Sequence, residues 1–200
     1  MHSTAPGAAS TPPYAGLTPD RVLDALESVG LRADGRLLAL NSYENRVYQV
    51  GIEERVNESQ PASPFLVAKF YRPGRWTNAQ ILEEHAFVQE LAQSEIPVVA
   101  PLALGDGASL HEFEGFRFAV FPRRGGRAPE LEDPATLEWL GRFVGRIHAL
   151  GARRPFVERP ALDRETFGSE PRDWLLAHGF IPADLKLAWT SVVDQALEGV

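Results

Sequence analysis

The chain has 200 residues, of which 44% are hydrophobic, and a formal net charge of −7. This composition suffices for a folded core, and the acidic balance argues against a nucleic-acid partner, which requires a clustered basic surface. Cysteine is absent, which excludes a disulfide framework and thiolate chemistry. No apolar run is long enough to span a bilayer, and the N-terminus does not resemble a secretory signal. We therefore expect a cytoplasmic protein without a membrane partner.

The N-terminal half predicts a helix followed by strands. Residues 1–16 are rich in Pro, Gly, Ala, Ser and Thr, which is typical of a disordered tail. The segment "TPDRVLDALESVG" then predicts a helix that is capped by Thr18 and ended by Gly30. The segments "GRLLALNSYENRVYQVGIE" and "PFLVAKFYR" predict strands, because apolar runs alternate with polar turns. The polar stretch between them, "EERVNESQPAS", predicts an exposed loop.

The rest of the chain returns to a helix and strands and then becomes helical. The segment "TNAQILEEHAFVQELAQSE" predicts a helix that begins at Thr77 or Asn78, and "IPVVAPLALGDGASLHEFEGFRFAVFP" predicts strands with turns at 105–107 and 114–115. From Asp133 onward three helical segments follow. The first has an apolar stripe, which comprises Leu137, Leu140, Val144, Ile147 and Leu150.

This order of elements predicts an α+β fold. We expect a first lobe, an antiparallel sheet with helices, at residues 17–122, and a linker at 123–132. A partial, all-helical second lobe is expected at residues 133–200.

Two charged residues occur where the sequence pattern predicts burial. Lys69 lies in the strand "FLVAKFY" with apolar neighbours on both faces, and Glu84 shares a helical stripe with Ile81, Val88 and Leu91. A buried charge requires a partner, so we expect Lys69 and Glu84 to pair with each other. The alternative is that Lys69 extends its ammonium to solvent and Glu84 lies at the edge of the stripe.

A lysine on a strand paired with a glutamate on a helix is the arrangement with which protein kinases hold the phosphates of ATP. Such a site also needs a turn that covers the phosphates. The turn between the first two strands can serve, although it lacks glycine, through its backbone N–H groups and one hydroxyl. An ordinary hairpin turn is the alternative. The residues of this turn are Ser42, Tyr43, Glu44 and Asn45.

The kinase arrangement further requires a connector whose backbone faces adenine. The segment "FRFAVFPRRGGR" has this character, since an apolar strand runs into Pro122, which cannot donate a hydrogen bond, and then into two glycines. We expect the carbonyl of Phe121 and the N–H of Arg123 to face adenine. The alternative is a strand end running into a loop, with the basic cluster of Arg123, Arg124 and Arg127 in solvent.

Several segments together resemble the aminoglycoside phosphotransferase and choline kinase-like group of the protein-kinase fold. These segments recur in order with similar spacing, and the resemblance extends from about residue 17 to residue 200. They are "LNSYENRVYQV", "AKFYRPGRW", "ILEEHAF", "PVVAPLA", "GFRFAVFP", "GGR" and "GRFVGRIHALG".

The resemblance implies an ATP- and Mg²⁺-dependent Ser/Thr phosphotransferase of a stress response, with a protein as its favoured substrate. It also implies that Ser42 contacts ATP, that Lys69 binds phosphate and that Glu84 is the partner of Lys69. The alternatives are a small-molecule kinase for an aminoglycoside, choline or homoserine-like acceptor, and a nucleotide-binding regulatory chain without catalysis.

The catalytic motifs of that group are not found in the sequence. Neither H-G-D-x-H-x-x-N nor D-x-D occurs among the 200 residues, and the nearest match is "HGF" at 178–180. We therefore expect a fragment that is inactive alone, with the catalytic base and the metal ligands beyond Val200. Its helices after Asp133 are expected to expose an apolar face and to favour self-association. His85 and His148, by contrast, are expected to be hydrogen-bonded core histidines.

Overall fold

The computed structural model describes residues 12–53, 64–105 and 107–199, and in them it confirms the predicted α+β fold. Five antiparallel strands form one sheet in the order β1-β2-β3-β5-β4. The strands are β1 (Ala33–Leu40), β2 (Arg46–Ile52), β3 (Phe65–Phe70), β4 (His111–Phe113) and β5 (Phe116–Pro122). The helices are α1 (Pro19–Glu27), α2 (Asn78–Gln93), α3 (Pro134–Gly151), α4 (Glu170–Ala177) and α5 (Lys186–Glu198). A π-helical turn at Glu165–Ser169 precedes α4.

The chain forms two compact units, Met1–Arg154 and Pro155–Val200. The first unit contains the sheet and helices α1, α2 and α3, and the second contains α4 and α5. The predicted bounds of the first lobe (17–122), the linker (123–132) and the second lobe (133–200) stay predictions. They describe functional lobes, and a compact unit need not coincide with a functional lobe. Among the described residues, no helix is both long and apolar enough to cross a membrane.

Local sequence signals determine the ends of the first two helices. The Thr18 hydroxyl accepts a hydrogen bond from the Arg21 N–H at 3.3 Å, as expected for an N-cap. After α1, Gly30 adopts a φ of 83°, which lets the chain turn back on the helix. Thr77 and Gln80 form a reciprocal capping box at the start of α2. The predicted start of α2 is thus confirmed.

The main core lies between α1 and one face of the sheet. Val22, Ala25 and Leu26 of α1 are buried against the strands. The β3 residues in this core are Leu66, Ala68 and Phe70. Alternate residues of a strand point to opposite faces, so the remaining β3 residues, including Lys69, face away from α1.

The strand predicted at the start of "IPVVAPLALGDGASL" is wrong. Residues 97–103 form no strand, although the β4–β5 hairpin that follows has its predicted turn at Glu114 and Gly115. Pro97 and Pro101 have no N–H for a sheet ladder, which explains the irregular path. Leu104 makes one isolated bridge with Ala108. Of the turn predicted at 105–107, residue 106 lies outside the described residues.

Helix α3 has its predicted extent, and only part of its apolar stripe is buried. Asp133 caps the helix, and its carboxylate accepts hydrogen bonds from the backbone N–H groups of Ala135 and Thr136. Leu150 is buried against α2, with Phe143 and Ile147 packed beside it. Two other residues of the predicted apolar stripe, Leu137 and Val144, are 51% and 45% exposed, which agrees with the expected exposed apolar face. The buried contact therefore uses the C-terminal end of the stripe, at Ile147 and Leu150.

Candidate functional site

The face of the sheet opposite α1 is only partly covered. The strand register places Lys69 beside Ala119 of β5 and Val47 of β2, so these three side chains share this face. Helix α2 covers one part of it, where Ile81 packs with Tyr71 and Ala119. The other part is formed by apolar side chains of β1, β2 and β3 and stays accessible: Leu38 is 56% exposed and Leu40 is 37% exposed. Lys69 therefore lies at the boundary between a covered region and an open apolar surface.

The predicted pair of Lys69 and Glu84 is confirmed. Lys69 Nζ lies 3.2 Å from Glu84 Oε1, and the two side chains are 23% and 35% exposed. The expectation that both charges are buried is wrong, because Lys69 faces the partly covered side of the sheet. Of the predicted stripe on α2, Ile81 and Leu91 are buried, but His85 is buried in place of Glu84. The pair thus occupies the rim of the α2 contact, where its charges remain accessible to a ligand.

His85 is a hydrogen-bonded core histidine, as predicted. Only 2% of it is exposed, and its two ring nitrogens lie 2.7 Å from the Tyr71 hydroxyl and 2.8 Å from the Ser109 hydroxyl. Burial lowers the pKa of His85 to about 4, partly opposed by the nearby Glu84 carboxylate. The imidazole is therefore neutral at physiological pH. His148, in contrast, is an exposed residue in the last turn of α3, so its predicted place in the core is wrong.

The turn between β1 and β2 contains an internal hydrogen bond from the side chain of Ser42. Ser42 Oγ donates to the Asn45 carbonyl at 2.6 Å, while the Tyr43 side chain at the tip is fully exposed. The hydroxyl hydrogen of Ser42 is thus used within the turn. The contact of this turn with phosphates, through its backbone N–H groups or through Ser42, stays a prediction.

Side chains of the same turn connect it to the loop between β3 and α2. The Glu44 carboxylate accepts hydrogen bonds from Trp76 Nε1 at 3.1 Å and from Arg75 Nε at 3.4 Å. Asn45 Oδ1 accepts one from the Arg72 N–H at 3.3 Å. Glu44 and Asn45, predicted to bind the nucleotide, therefore also fix the turn relative to the strand that carries Lys69.

Tyr14 is a further anchor of this turn that the sequence did not reveal. Its hydroxyl lies 3.0 Å from the Glu44 carbonyl and 3.3 Å from the Phe70 carbonyl. Burial raises the pKa of Tyr14 to about 12, so the phenol remains a protonated donor. The sequence assigned this residue to the tail, and the one local signal was an aromatic side chain within a stretch rich in small residues.

The predicted connector begins where β5 ends. Phe121 packs beside Tyr71, Ile81 and Ala119, on the same face of the sheet as Lys69. Arg123 is exposed, as are the two arginines that follow it, Arg124 and Arg127, which agrees with a solvated basic loop. The contact of the Phe121 carbonyl and the Arg123 N–H with adenine stays a prediction.

The described residues do not form a metal site. Residues 12–53, 64–105 and 107–199 contain no group of three or more His, Cys, Asp or Glu side chains that could hold a metal ion. Magnesium, which the family resemblance implies, therefore finds no matching set of ligands in this part of the chain. What the arrangement can do chemically is place one ammonium group beside an open apolar surface.

The chain belongs to the phosphotransferase enzyme family, whose model matches residues 36–196. Among curated relatives, it is 43% identical over 184 residues to stress response kinase A of Shigella flexneri and 42% identical over 184 residues to that of Escherichia coli (strain K12). It is 41% identical to a protein of Salmonella typhimurium named serine/threonine protein kinase RdoA. Each match covers 92% of this chain and 53% of the relative, so the chain spans about half the length of these proteins.

Solved structures of kinases share the fold at low sequence identity. An amicoumacin kinase, solved in complex with AMP-PNP, Ca²⁺ and Ami, superposes with a TM-score of 0.63 at 20% identity, covering 90% of this chain and 53% of that one. A microcompartment-associated aminopropanol kinase gives 0.60 at 19% identity and covers 76% and 47%. The chain thus has a kinase-like α+β fold, as the sequence predicted.

Proposed function

We propose that this chain is the nucleotide-binding part of an ATP-dependent kinase. The observation that carries the proposal is the ion pair of Lys69 and Glu84 at 3.2 Å, at the edge of an open apolar surface, in a chain of the phosphotransferase family. A half-exposed ion pair adds little to stability, so a role in binding is the better physical reason for this placement.

The phosphates and the adenine of ATP would each meet a chemically matching part of this surface. The Lys69 ammonium would bind the α- and β-phosphates, and Glu84 would keep that ammonium in place by accepting its hydrogen bond. The exposed leucines of β1 and the side chains of Val67 and Phe121 would contact the apolar faces of adenine. ATP would thereby cover the apolar surface while its phosphates meet the positive charge.

The proposal separates binding from catalysis. The sequence contains no H-G-D-x-H-x-x-N or D-x-D segment, and its described residues contain no metal site. Lys69 and Glu84 orient phosphates but do not supply a base for the acceptor hydroxyl. We therefore propose that these 200 residues bind ATP without transferring its phosphate, and that the complete enzyme acts in the cytoplasm with Mg²⁺.

The proposed phosphate acceptor is a serine or threonine hydroxyl of a protein in a stress response. The relatives at 41–43% identity support this choice, since they are named stress response kinase A and serine/threonine protein kinase RdoA. A small-molecule kinase is the second candidate within the same family. A regulatory chain that binds ATP without catalysis is the third, and it shares the binding site proposed here.

Calorimetric titration with ATP tests the proposal. The chain has only two lysines, Lys69 and Lys186, so Lys186→Ala in α5 is a matched control for Lys69→Ala. We expect the wild type and Lys186→Ala to bind alike and Lys69→Ala to bind about tenfold or more weakly, as for the loss of a charged hydrogen bond. Equal affinity of all three folded proteins, or no binding by the wild type, would contradict the proposal.

A further inference from the structure

Three hydrogen-bonded side chains, Ser109, His85 and Tyr71, lead to Lys69. Ser109 Oγ lies 2.8 Å from His85 Nδ1, and His85 Nε2 lies 2.7 Å from the Tyr71 hydroxyl. The Tyr71 ring lies beneath the Lys69 ammonium, with 4.6 Å between Nζ and the ring centroid. Tyr71 and His85 are each 2% exposed. The charged end at Lys69 is at the rim, Tyr71 and His85 are buried, and Ser109 at the other end is half-buried.

The imidazole of His85 is restrained at both nitrogens. A neutral imidazole has one N–H and one lone pair, and the two hydroxyl partners use both. Rotation of the ring would leave a buried polar atom without its hydrogen bond, which is costly. Phe121 packs edge-on against the same ring at a centroid distance of 6.4 Å. The hydrogen bond between His85 and the Tyr71 hydroxyl therefore restrains the position of the Tyr71 ring.

We propose that Tyr71 and His85 are positioning residues for Lys69. The inference rests on the proposed function, in which Lys69 binds phosphate. A lysine side chain has a flexible four-carbon stem, and Glu84 restrains its ammonium from one direction only. The Tyr71 ring adds a second restraint through a cation–π contact. The ammonium is thus held near the open surface before the nucleotide arrives, which reduces the entropy that is lost on binding.

The alternative is that Tyr71 and His85 only fill space in the core. Tyr71 does belong to a packed cluster with Ile81 and Ala119. Packing alone predicts that substitutions lower stability while the position of Lys69 stays the same. A positioning role predicts that Lys69 itself changes, in a chain that remains folded. A measurement on the Lys69 side chain therefore separates the two.

Lysine-selective ¹³C labelling allows this measurement, because the spectrum contains signals from Lys69 and Lys186 only. The Tyr71 ring current should shift the Lys69 ε-methylene protons upfield of those of Lys186. Tyr71→Leu should abolish this shift, and His85→Gln should reduce it. We expect ATP to bind both variants about two- to fivefold more weakly, as for a lost cation–π contact at a half-exposed site. Lys186 serves as the internal reference.

Tyr48→Leu is the matched control, since Tyr48 packs against Phe70 on the opposite face of the sheet. It should leave the Lys69 signal unchanged. If Tyr71→Leu does not fold, Tyr71→Phe is measured instead. This variant keeps the ring and removes the hydroxyl that is hydrogen-bonded to His85. We expect a smaller upfield shift of the Lys69 signal than in the wild type. A folded Tyr71 variant with an unaltered Lys69 signal would overturn the inference. Failure of the wild type to bind ATP would overturn the proposed function and leave the Lys69 signal to decide positioning.

Discussion

At the scale of residues, Lys69 and Glu84 form an ion pair at the rim of the α2 contact, where their side chains are 23% and 35% exposed. The helical and strand periods indicated that both charges were inside, where a charge requires a partner. Periodicity identifies the face on which a residue lies but not how much of that face another element covers. Coverage depends on the docking of α2, which no local pattern encodes.

His85 leads to a prediction about pH. Its pKa is about 4 in the folded chain because burial disfavours the charged form, against an ordinary value of 6.5. Glu84 opposes this shift, whereas Lys69 and His111 add to it. Between about pH 4 and pH 6.5, His85 is protonated in the unfolded chain and neutral in the folded chain. The free energy of unfolding should therefore fall as the pH drops from about 6.5 to about 4, by at most about 3 kcal/mol from this group.

Urea denaturation at pH 7 and pH 4.5 measures this effect. Other carboxyl groups also titrate in this range, so the informative quantity is the difference between wild type and His85→Gln. The variant should be less stable at pH 7 and lose less of its unfolding free energy on acidification. Parallel losses in the two proteins would show that His85 does not contribute in the predicted direction.

At the scale of elements, the turn between β1 and β2 is fixed by its contacts with the loop between β3 and α2. Trp76 Nε1 donates to the Glu44 carboxylate at 3.1 Å, and this bond joins the predicted phosphate turn to the start of α2. Trp76→Phe keeps an aromatic ring and removes the donor. We expect faster amide hydrogen exchange in residues 42–46 and several-fold weaker ATP binding. The cause would be a turn that samples more conformations.

Trp139→Phe is the control for this experiment, since Trp139 is 59% exposed on α3. It should change neither the hydrogen exchange of the turn nor the affinity for ATP. Unchanged exchange in residues 42–46 of folded Trp76→Phe would contradict a tethering role of this hydrogen bond.

The elements that were predicted correctly are those whose ends are determined by neighbouring residues in the sequence. The N-caps Thr18 and Thr77 and the turn at Glu114 and Gly115 are local chemistry, and each was found where it was expected. The strand predicted near residue 97 is absent. The apolar residues of this segment favoured a strand, but Pro97 has no N–H group for a sheet ladder. Tyr14 was missed because its hydrogen bonds reach 30 and 56 residues along the chain.

At the scale of the whole molecule, the helices after Asp133 expose large apolar side chains, as the sequence predicted. Trp139 on α3 is 59% exposed, and Leu187 and Val192 on α5 are 88% and 66% exposed. Exposed apolar surface favours association in water. We therefore expect the apparent mass of the chain to rise with its concentration in sedimentation experiments.

The double variant Leu187→Gln, Val192→Gln should weaken this association without unfolding the chain, since neither side chain is buried. Leu38→Gln on the sheet is a useful comparison, because it removes exposed apolar surface from the predicted adenine site and leaves α5 unchanged. A chain that remains monomeric at high concentration would contradict the prediction.

The direct test of nucleotide binding at the ion pair is a titration of the lysine-labelled chain with ATP, followed through its two ¹³Cε signals. If Lys69 binds the phosphates, its signal should shift and saturate as ATP is added, while the signal of Lys186 stays in place. A saturable change confined to Lys69 would place the ligand at the pair with Glu84. A folded chain in which Lys69 does not respond to ATP, or responds no more than Lys186, would contradict it.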